Sequence, residues 1–210
     1  MTNISCPGCG AQLILQSPAT LFVVCSYCKS TLIRDQDWTV YGKMANLPAE
    51  ITPLQIGTQG SFKGEGFELI GRQRLQWANG YWTEWCANFP KGKTAWLAEA
   101  QGLLMISFPT PFPEEAKQWG ELKAGAYLKM GNTTFMIDDV KTARCIGSEG
   151  ELPFTALPNK EITSIDASNP AGSFLSLEIV TATGERRAYV GEYVEFKDLH
   201  LKNLRKLDGW

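Results

Sequence analysis

Short runs of alternating apolar and polar residues, separated by turns rich in glycine and proline, recur along the chain. In YWTEWCANF (residues 81–89), successive side chains of an extended strand point to opposite faces, so every second residue shares a face. Runs of the usual strand length are also found in FELIGRQRLQW, TAWLAEA, GLLMISF, TTFMIDDV, FLSLEIVTA and RRAYVGEYVEF. Convincing helical periodicity is scarce. The pattern therefore predicts an all-β protein.

A repeated spacing divides the strand-rich part of the chain into two halves. The spacing Leu-x2-Gly-x9-Phe-x-[Leu/Ile] occurs twice at an offset of 68 residues, first in Leu54, Gly57, Phe67 and Leu69 and then in Leu122, Gly125, Phe135 and Ile137. The proline-rich segment PTPFPEEAKQWGEL leads from one copy to the other and is interpreted as a boundary. The spacing favours a tandem duplication of a small β-module. Short strands with glycine turns favour two SH3-like or open-barrel modules packed together.

Four cysteines near the amino end have the spacing of a metal site. They form the pattern C-x2-C-x15-C-x2-C in Cys6, Cys9, Cys25 and Cys28. Two Cys-x-x-Cys turns that face each other across a hairpin bring four thiolates to the corners of a tetrahedron, which is the geometry that Zn²⁺ prefers. The β-prone runs QLILQ and TLFVV, broken by Ser-Pro-Ala, supply the hairpin. We therefore predict a zinc ribbon with a structural Zn²⁺, because four thiolates leave no open coordination position for catalysis.

Other uses of the cysteines are less well supported by the sequence. A disulfide pair is disfavoured in a reducing compartment. A thioredoxin-like redox pair requires one Cys-x-x-Cys to open a helix within a βαβ unit, which the flanking sequence does not supply. Rubredoxin-type iron uses similar turns, but the intervening loop is short for that fold. Cys86 and Cys145 stand alone and are interpreted as small buried apolar residues.

These patterns predict four consecutive segments. They are a zinc ribbon over residues 1–34, a linker over 35–51, a first β-module over 52–113 and a second β-module over 114–210. The linker is assigned because the sequence from 35 to 51 is mixed and contains few apolar pairs.

Composition and charge narrow the function. The formal net charge is −2 without a block of like charges, so no general attraction to nucleic acid is expected. No segment approaches the roughly 20 apolar residues needed to span a bilayer, and Leu13–Val24 lacks the basic flank of a signal peptide. We therefore expect a cytoplasmic protein with reduced thiols. The basic cluster in HLKNLRKLDGW leaves peripheral membrane association as an alternative.

A non-enzymatic interaction module is the function class that the sequence favours. Tyr81, Trp82 and Trp85 form a candidate partner-binding patch, since aromatic residues dominate binding hot spots. Packing of these three side chains into the barrel core is the alternative interpretation. Nucleic-acid binding is a second class, because zinc ribbons often serve transcription, but no basic stripe is visible.

An enzyme is the third class, and its candidate groups are carboxylates and one dyad. The carboxylates are Glu84, Asp138, Asp139, Glu149, Glu151 and Asp166. Glu84 shares a predicted face with Trp82, so burial by indole would raise its pKa. A dyad of Cys145 and His200 lacks an orienting third group, and the single histidine is interpreted as structural or exposed. An exposed aromatic cluster would favour the interaction module, whereas a concave pocket lined by Glu84 and a second carboxylate would favour the enzyme.

The segments CPGCGAQLIL, VVCSYCKS, GFELIGRQRL, WTEW and TAWLAEAQG together resemble the bacterial domain-of-unknown-function family 4178. The resemblance covers nearly the whole chain, and the strand motifs Phe67–Arg72 and Trp82–Trp85 carry it. In some members of this family a zinc ribbon precedes the β-domain. The resemblance implies no catalytic residues, and it implies an accessory role in a bacterial stress or membrane-associated system. The combined prediction is a zinc-binding, non-enzymatic adaptor with a protein partner.

Overall fold

A computed structural model describes residues 2–47, 51–100, 102–114, 116 and 120–207, and these residues contain fifteen strands and no α-helix. The strands are β1 (Thr2–Ser5), β2 (Gln12–Leu15), β3 (Phe22–Val24), β4 (Ser30–Arg34), β5 (Trp38–Lys43), β6 (Gln59–Phe62), β7 (Glu65–Trp77), β8 (Gly80–Asn88), β9 (Thr94–Ala100), β10 (Leu103–Thr110), β11 (Tyr127–Met130), β12 (Thr133–Leu152), β13 (Glu161–Ser168), β14 (Ser173–Val180) and β15 (Arg186–Val194). The all-β prediction is confirmed. Within the described part of the chain, no helix has the length and apolar character needed to cross a membrane.

Eight strands close into one antiparallel barrel. Strands β7 to β10 form a first meander and β12 to β15 form a second. The outer strands of the two meanders pair with each other, β10 with β15 and β7 with β12. A four-stranded meander has two edge strands with unpaired backbone N–H and C=O groups, and closure of the barrel pairs both edges. The expected modules therefore contribute four strands each to a single barrel, and the prediction of two separate SH3-like barrels is not confirmed.

The two halves nevertheless repeat each other in backbone geometry. The Gly57 N–H donates to the Leu69 carbonyl at 2.7 Å, and the Gly125 N–H donates to the Ile137 carbonyl at 2.8 Å. Both glycines have a positive φ, +86° and +83°, which other residues adopt only with strain. A bulge follows Leu69 in β7 and Ile137 in β12. The predicted 68-residue spacing therefore marks a structural repeat.

Each half also has a hydrophobic cluster on the strand faces that point away from the barrel interior. Residues including Trp85 and Ile106 form the first cluster, and residues including Phe135 and Leu175 form the second. The segment that follows each meander crosses to the other half. Leu199, from the 3-10 turn Phe196–Leu199, is buried in the first cluster, and Phe112 packs against the second. This exchange ties the two halves together beyond their strand pairing.

The amino-terminal segment forms hairpins that continue the barrel wall. Strand β1 pairs with β2, and the order β5-β4-β3 leads directly into β12. The segment 35–51, expected to be a linker, contains β5, which pairs with β4. Aromatic and β-branched residues in WTVYGK favour this strand. The hairpin that carries Cys25 and Cys28 is therefore part of the same sheet as the barrel, whereas β1 and β2, which flank Cys6 and Cys9, form a separate two-stranded sheet.

Two glycines permit the junction where β3, β12 and β7 meet. Gly150 of β12 pairs with Val24 of β3 on one side and with Gly71 of β7 on the other. A Cβ on Gly150 would lie 2.2 Å from the Ile70 carbonyl oxygen, and a Cβ on Gly71 would lie 2.1 Å from the Glu151 carbonyl oxygen. Both distances are far below van der Waals contact, so only glycine fits.

The side chain of Glu151 fastens the amino-terminal hairpin to the barrel. Its buried carboxylate accepts hydrogen bonds from the Gln16 N–H at 2.8 Å, the Thr20 hydroxyl at 2.7 Å and the Ser17 N–H at 3.3 Å. Burial raises the pKa of this carboxyl group. Glu151 and Glu149, two of the candidate carboxylates, both lie in β12, where their bonds are structural.

Candidate metal centre and barrel cavity

The four predicted ligand sulfurs lie together at the amino end. All four Sγ atoms are within 4.8 Å of one another. The distance is 3.8 Å from Cys6 to Cys28 and 3.9 Å from Cys9 to Cys25. A tetrahedron with metal–sulfur bonds of about 2.3 Å has edges of about 3.8 Å. None of the four forms a disulfide. The arrangement can therefore hold one metal ion.

Two equivalent backbone turns position these sulfurs. The Gly10 N–H donates to the Cys6 carbonyl at 2.8 Å, and the Lys29 N–H donates to the Cys25 carbonyl at 3.0 Å. Gly10 and Lys29 have φ values of +76° and +60°. Lys29 in the second turn therefore adopts the same left-handed conformation as Gly10 in the first turn.

The hydrophobic core around the sulfurs is small. Besides two of the cysteines, its buried members are Leu13, Leu15, Val23 and Leu32. A cluster of this size contributes little burial, so a bound metal is expected to supply much of the folding free energy of this segment. The Ser30 hydroxyl oxygen lies 3.1 Å from the Cys28 sulfur, and hydrogen bonds with the Ser30 side chain and backbone lower the pKa of the Cys28 thiol to about 6. The Ala11 backbone acts in the same direction on Cys9, but hydrogen bonds with the other three cysteines and burial raise the pKa of Cys9 to about 12. A lowered pKa favours the thiolate that binds metal.

The interior of the barrel is closed at one end by an apolar cluster. Trp96, Tyr189 and Ile70 of the barrel pack there with Phe22 and Val24 of β3. The amino-terminal hairpin thus provides part of the floor of the barrel. Above this floor the interior opens into a cavity of about 240 Å³, to which all eight barrel strands contribute.

Acidic and aromatic side chains dominate the wall of this cavity. The carboxyl groups belong to Glu84, Asp138, Asp139, Asp166 and Glu178. The aromatic rings belong to Trp77, Tyr81, Trp82, Trp96, Phe174, Tyr189 and Tyr193. Among the described residues that line the cavity, Lys141 supplies the single basic group. The wall therefore carries an excess of negative charge when its carboxyl groups are ionised.

Glu84 lies at the centre of a hydrogen-bonded group in this wall. Trp82 Nε1 donates to its Oε1 and Gln73 Nε2 donates to its Oε2, both at 2.7 Å. Burial raises the pKa of the Glu84 carboxyl group, and these hydrogen bonds oppose the shift. The face that Glu84 was expected to share with Trp82 is confirmed by this contact.

Glu178 forms a buried ion pair deeper in the barrel. Its carboxylate lies 3.1 Å from Arg187 Nη1, and the guanidinium of Arg187 stacks 3.8 Å from the centre of the Phe154 ring. Burial, together with the negative charges of Glu84 and Asp166, raises the pKa of Glu178 to about 8. Glu178 was not among the candidate residues predicted from the sequence. In SFLSLEIV, however, Ser176 and Glu178 alternate with two buried leucines, and this pattern indicates that Ser176 and Glu178 share one face of the strand.

Two further carboxyl groups lie closer to the mouth. The Ser176 hydroxyl donates to Asp166 at 2.9 Å, and burial raises the pKa of Asp166 to about 6. Asp139 forms an ion pair with Lys141, whose ammonium nitrogen lies 4.7 Å from the centre of the Trp77 ring. Asp138 and Asp139 are adjacent, and adjacent residues of a regular strand point to opposite faces. Both line the cavity, because the bulge in β12 between Ile137 and Asp139 changes the alternation.

The aromatic residues of β8 do not share one surface. Tyr81 is 51% exposed at the mouth of the cavity, and Trp82 is half-buried in its wall. Trp85 is 1% exposed on the opposite face, where its indole Nε1 donates to Glu99 at 3.3 Å. A partner-binding role for Tyr81 and Trp82 stays a prediction, whereas Trp85 belongs to the core.

The candidate dyad is not assembled. Cys145 is buried in the barrel interior, where burial raises the pKa of its thiol to about 11. His200 is exposed and lies 3.3 Å from the Ser61 hydroxyl next to β6. Cys86 is buried as well, as expected for an apolar role.

Comparison with known proteins identifies one family. The sequence model of DUF4178, described as a domain of unknown function, matches residues 55–196. The matched stretch contains all eight barrel strands and confirms the resemblance of the strand motifs, but it does not include the four cysteines. No curated protein and no solved structure matches the chain.

Proposed function

Because the chain belongs to the DUF4178 family, whose description names no activity, we propose a function from the geometry of the barrel. The protein is a non-enzymatic binding module, and its cavity takes a small organic cation. The observation that carries this proposal is the wall itself, in which five carboxyl groups and seven aromatic rings surround one enclosed space.

The charge and the rings of the wall both favour a cation. Mutual repulsion among the carboxyl groups contributes to the raised pKa of Glu178, and a bound cation would relieve that repulsion. Aromatic faces attract cations within about 6 Å, most strongly where water is excluded. Asp166 and Glu84 flank the same space as the Trp82 indole. An organic cation can use charge and ring contacts together.

The arrangement does not favour a metal ion in the cavity. Among the described residues, the four cysteines form the single group of three or more ligand atoms close enough to share a metal. The carboxyl groups of the wall are therefore too dispersed for one ion. A volume of about 240 Å³ lies slightly below the usual range of ligand sites, so the ligand is small.

Binding is better supported than catalysis. The deep carboxyl groups are each engaged by a donor, Glu84 by Trp82, and Glu178 by Arg187. The buried thiol of Cys145, with a pKa of about 11, stays protonated at neutral pH and is a poor nucleophile. A concave pocket lined by Glu84 and a second carboxyl group, which was expected to favour an enzyme, is present. The arrangement of its carboxyl groups and rings, however, suits the binding of a positively charged ligand.

Calorimetric titration with n-butylammonium, and with n-butanol as the neutral comparison, tests this proposal. We expect the cation to bind at least about tenfold more tightly than the alcohol, since one desolvated charge contact contributes about that much. Glu84→Gln should remove most of the preference. Glu121→Gln, at an exposed residue that pairs with Lys123, is the matched control. Equal affinity for the cation and the alcohol would contradict the proposal.

We further propose that the four-cysteine centre holds a structural Zn²⁺. A tetrahedral set of four thiolates suits zinc or iron, and the absence of an open position fits a structural role. The reduced thiols are in keeping with a cytoplasmic location, which is part of the same proposal. Elemental analysis of the purified chain should find about one zinc per molecule. Iron in its place would contradict the assignment.

A protein-interaction role is the second candidate, and exposed side chains of the amino-terminal segment favour it. Tyr27 and Tyr41 are 71% and 67% exposed, and Val40 of the edge strand β5 is 44% exposed. Exposed apolar groups on an unpaired strand edge are a common docking feature. Affinity capture with the wild-type chain and with Tyr41→Ser tests it. A partner recovered equally by both proteins would exclude this surface.

A further inference from the structure

A lysine of the barrel wall occupies the mouth of the cavity. The ammonium group of Lys141 lies 4.7 Å from the centre of the Trp77 ring and forms an ion pair with Asp139. Its side chain is 25% exposed and that of Asp139 is 45% exposed. An aromatic face and a carboxylate therefore already hold a primary ammonium group at the entrance.

Strand geometry brings these three groups together. Asp139 and Lys141 are two residues apart on β12 and so lie on one face of the strand. Trp77 ends the neighbouring strand β7, where it pairs with Gly80 across the turn into β8.

We propose that Trp77 and Asp139 form a primary-ammonium subsite, and that Lys141 fills this subsite until a ligand ammonium displaces it. This inference rests on the proposed function and deepens it, because it names the chemical group that the mouth recognises. Lys141 is then a specificity-determining residue. Its ammonium group competes for the subsite with any ligand that carries one positive charge. Such a ligand binds there only when its ammonium group binds more tightly than that of Lys141.

Displacement of Lys141 is physically easy. The side chains of Lys141 and Asp139 are 25% and 45% exposed, so water screens part of the attraction between them and lowers the cost of separating the pair. Lysine has a flexible four-carbon stem, so its ammonium group can move away while the backbone of β12 stays in place.

The positive charge of Lys141 also acts on the deeper wall. Its attraction to the carboxylate lowers the pKa of Asp166, so the lysine already neutralises part of the negative charge that a bound cation would meet. Loss of that charge leaves Asp138, Asp139 and Asp166 without a basic partner in the lining. A cation from solution should therefore bind more tightly when the lysine is replaced by a neutral residue.

Titration of n-butylammonium into the wild-type chain and into Lys141→Met tests the inference. Tryptophan fluorescence reports binding, because Trp77 and Trp82 line the cavity. We expect the Lys141→Met variant to bind the cation about fivefold more tightly, whereas its affinity for n-butanol should not change. Lys141→Arg, which keeps the charge, should bind like the wild type.

Two controls separate the outcomes. Lys123→Met removes an exposed charge outside the cavity lining and should leave affinity unchanged. Asp139→Asn should weaken binding of the cation in spite of freeing the lysine. If the wild type binds n-butylammonium and Lys141→Met binds it equally or less well, this inference is wrong and the proposed function survives. If neither protein binds the cation, both are wrong.

Discussion

Replacing Glu151 by glutamine should loosen the amino-terminal hairpin from the barrel. The carboxylate accepts hydrogen bonds from Gln16, Ser17 and Thr20, and its residue is 6% exposed. Glutamine keeps one oxygen acceptor but places an N–H₂ group against backbone donors. Hydrogen bonds to a charged group contribute about 1.5–3 kcal/mol each, and a buried donor without an acceptor costs about 1–3 kcal/mol.

The summed effect should therefore be about 2–4 kcal/mol, because the remaining oxygen keeps part of the bonding. For a chain of this size that corresponds to a fall in melting temperature of about 5–10 °C. Hydrogen exchange followed by mass spectrometry shows which segments of the chain are destabilised. The peptides that cover residues 12–24 should exchange faster in the variant, whereas those of β13 and β14 should not.

Glu195→Gln is the matched control for this experiment, since Glu195 is an exposed glutamate whose partner is Lys197. It should leave both the melting temperature and the exchange of residues 12–24 unchanged. If Glu151→Gln behaved like this control, the Glu151 carboxylate would not be what fastens the hairpin. In that case the contacts of β3 with β12 alone would hold the hairpin.

Two further predictions concern charge and metal. Affinity for n-butylammonium should rise between about pH 5 and about pH 9, because Asp166 (pKa about 6) and Glu178 (pKa about 8) must lose protons before they attract a cation. Titrations across this range that show a falling or flat affinity would contradict this prediction. Cys9→Ser should reduce the metal content by removing one of four ligands, while the barrel strands keep their slow hydrogen exchange; full metal content in the variant would contradict the ligand assignment.

The strands and the cluster of four cysteines could be predicted because their signals are local. The spacing of Cys6 and Cys9, like that of Cys25 and Cys28, specifies a turn that forms within a few residues. Alternation in segments such as residues 81–89 likewise needs no knowledge of the rest of the chain. The 68-residue repeat was visible because glycine at positions 57 and 125 meets the same backbone requirement twice.

Closure of the barrel could not be predicted in the same way. The pairing of Leu75 with Cys145 joins strands that are far apart in sequence, and the sequence of neither strand specifies which strand it pairs with. The edge strands of a meander can pair with each other or with another meander, and local pattern does not decide between these outcomes. Two small barrels were expected for this reason.

The cavity depended on the same non-local information. Glu84 was a candidate because Trp82 lies two residues away, and that neighbourhood is local. Glu178 and Lys141 were not, because they join the site only after β14 and β12 close the wall. An acidic residue at an inward position of an apolar strand is the pattern that could have identified Glu178.

A crystal structure of the full chain soaked with n-butylammonium would test the central claim most directly. We expect the ammonium nitrogen inside the barrel, against an indole face and within hydrogen-bonding distance of a carboxylate such as Glu84, Asp139 or Asp166. A cavity that holds only water under these conditions, or an ammonium bound elsewhere on the surface, would contradict it.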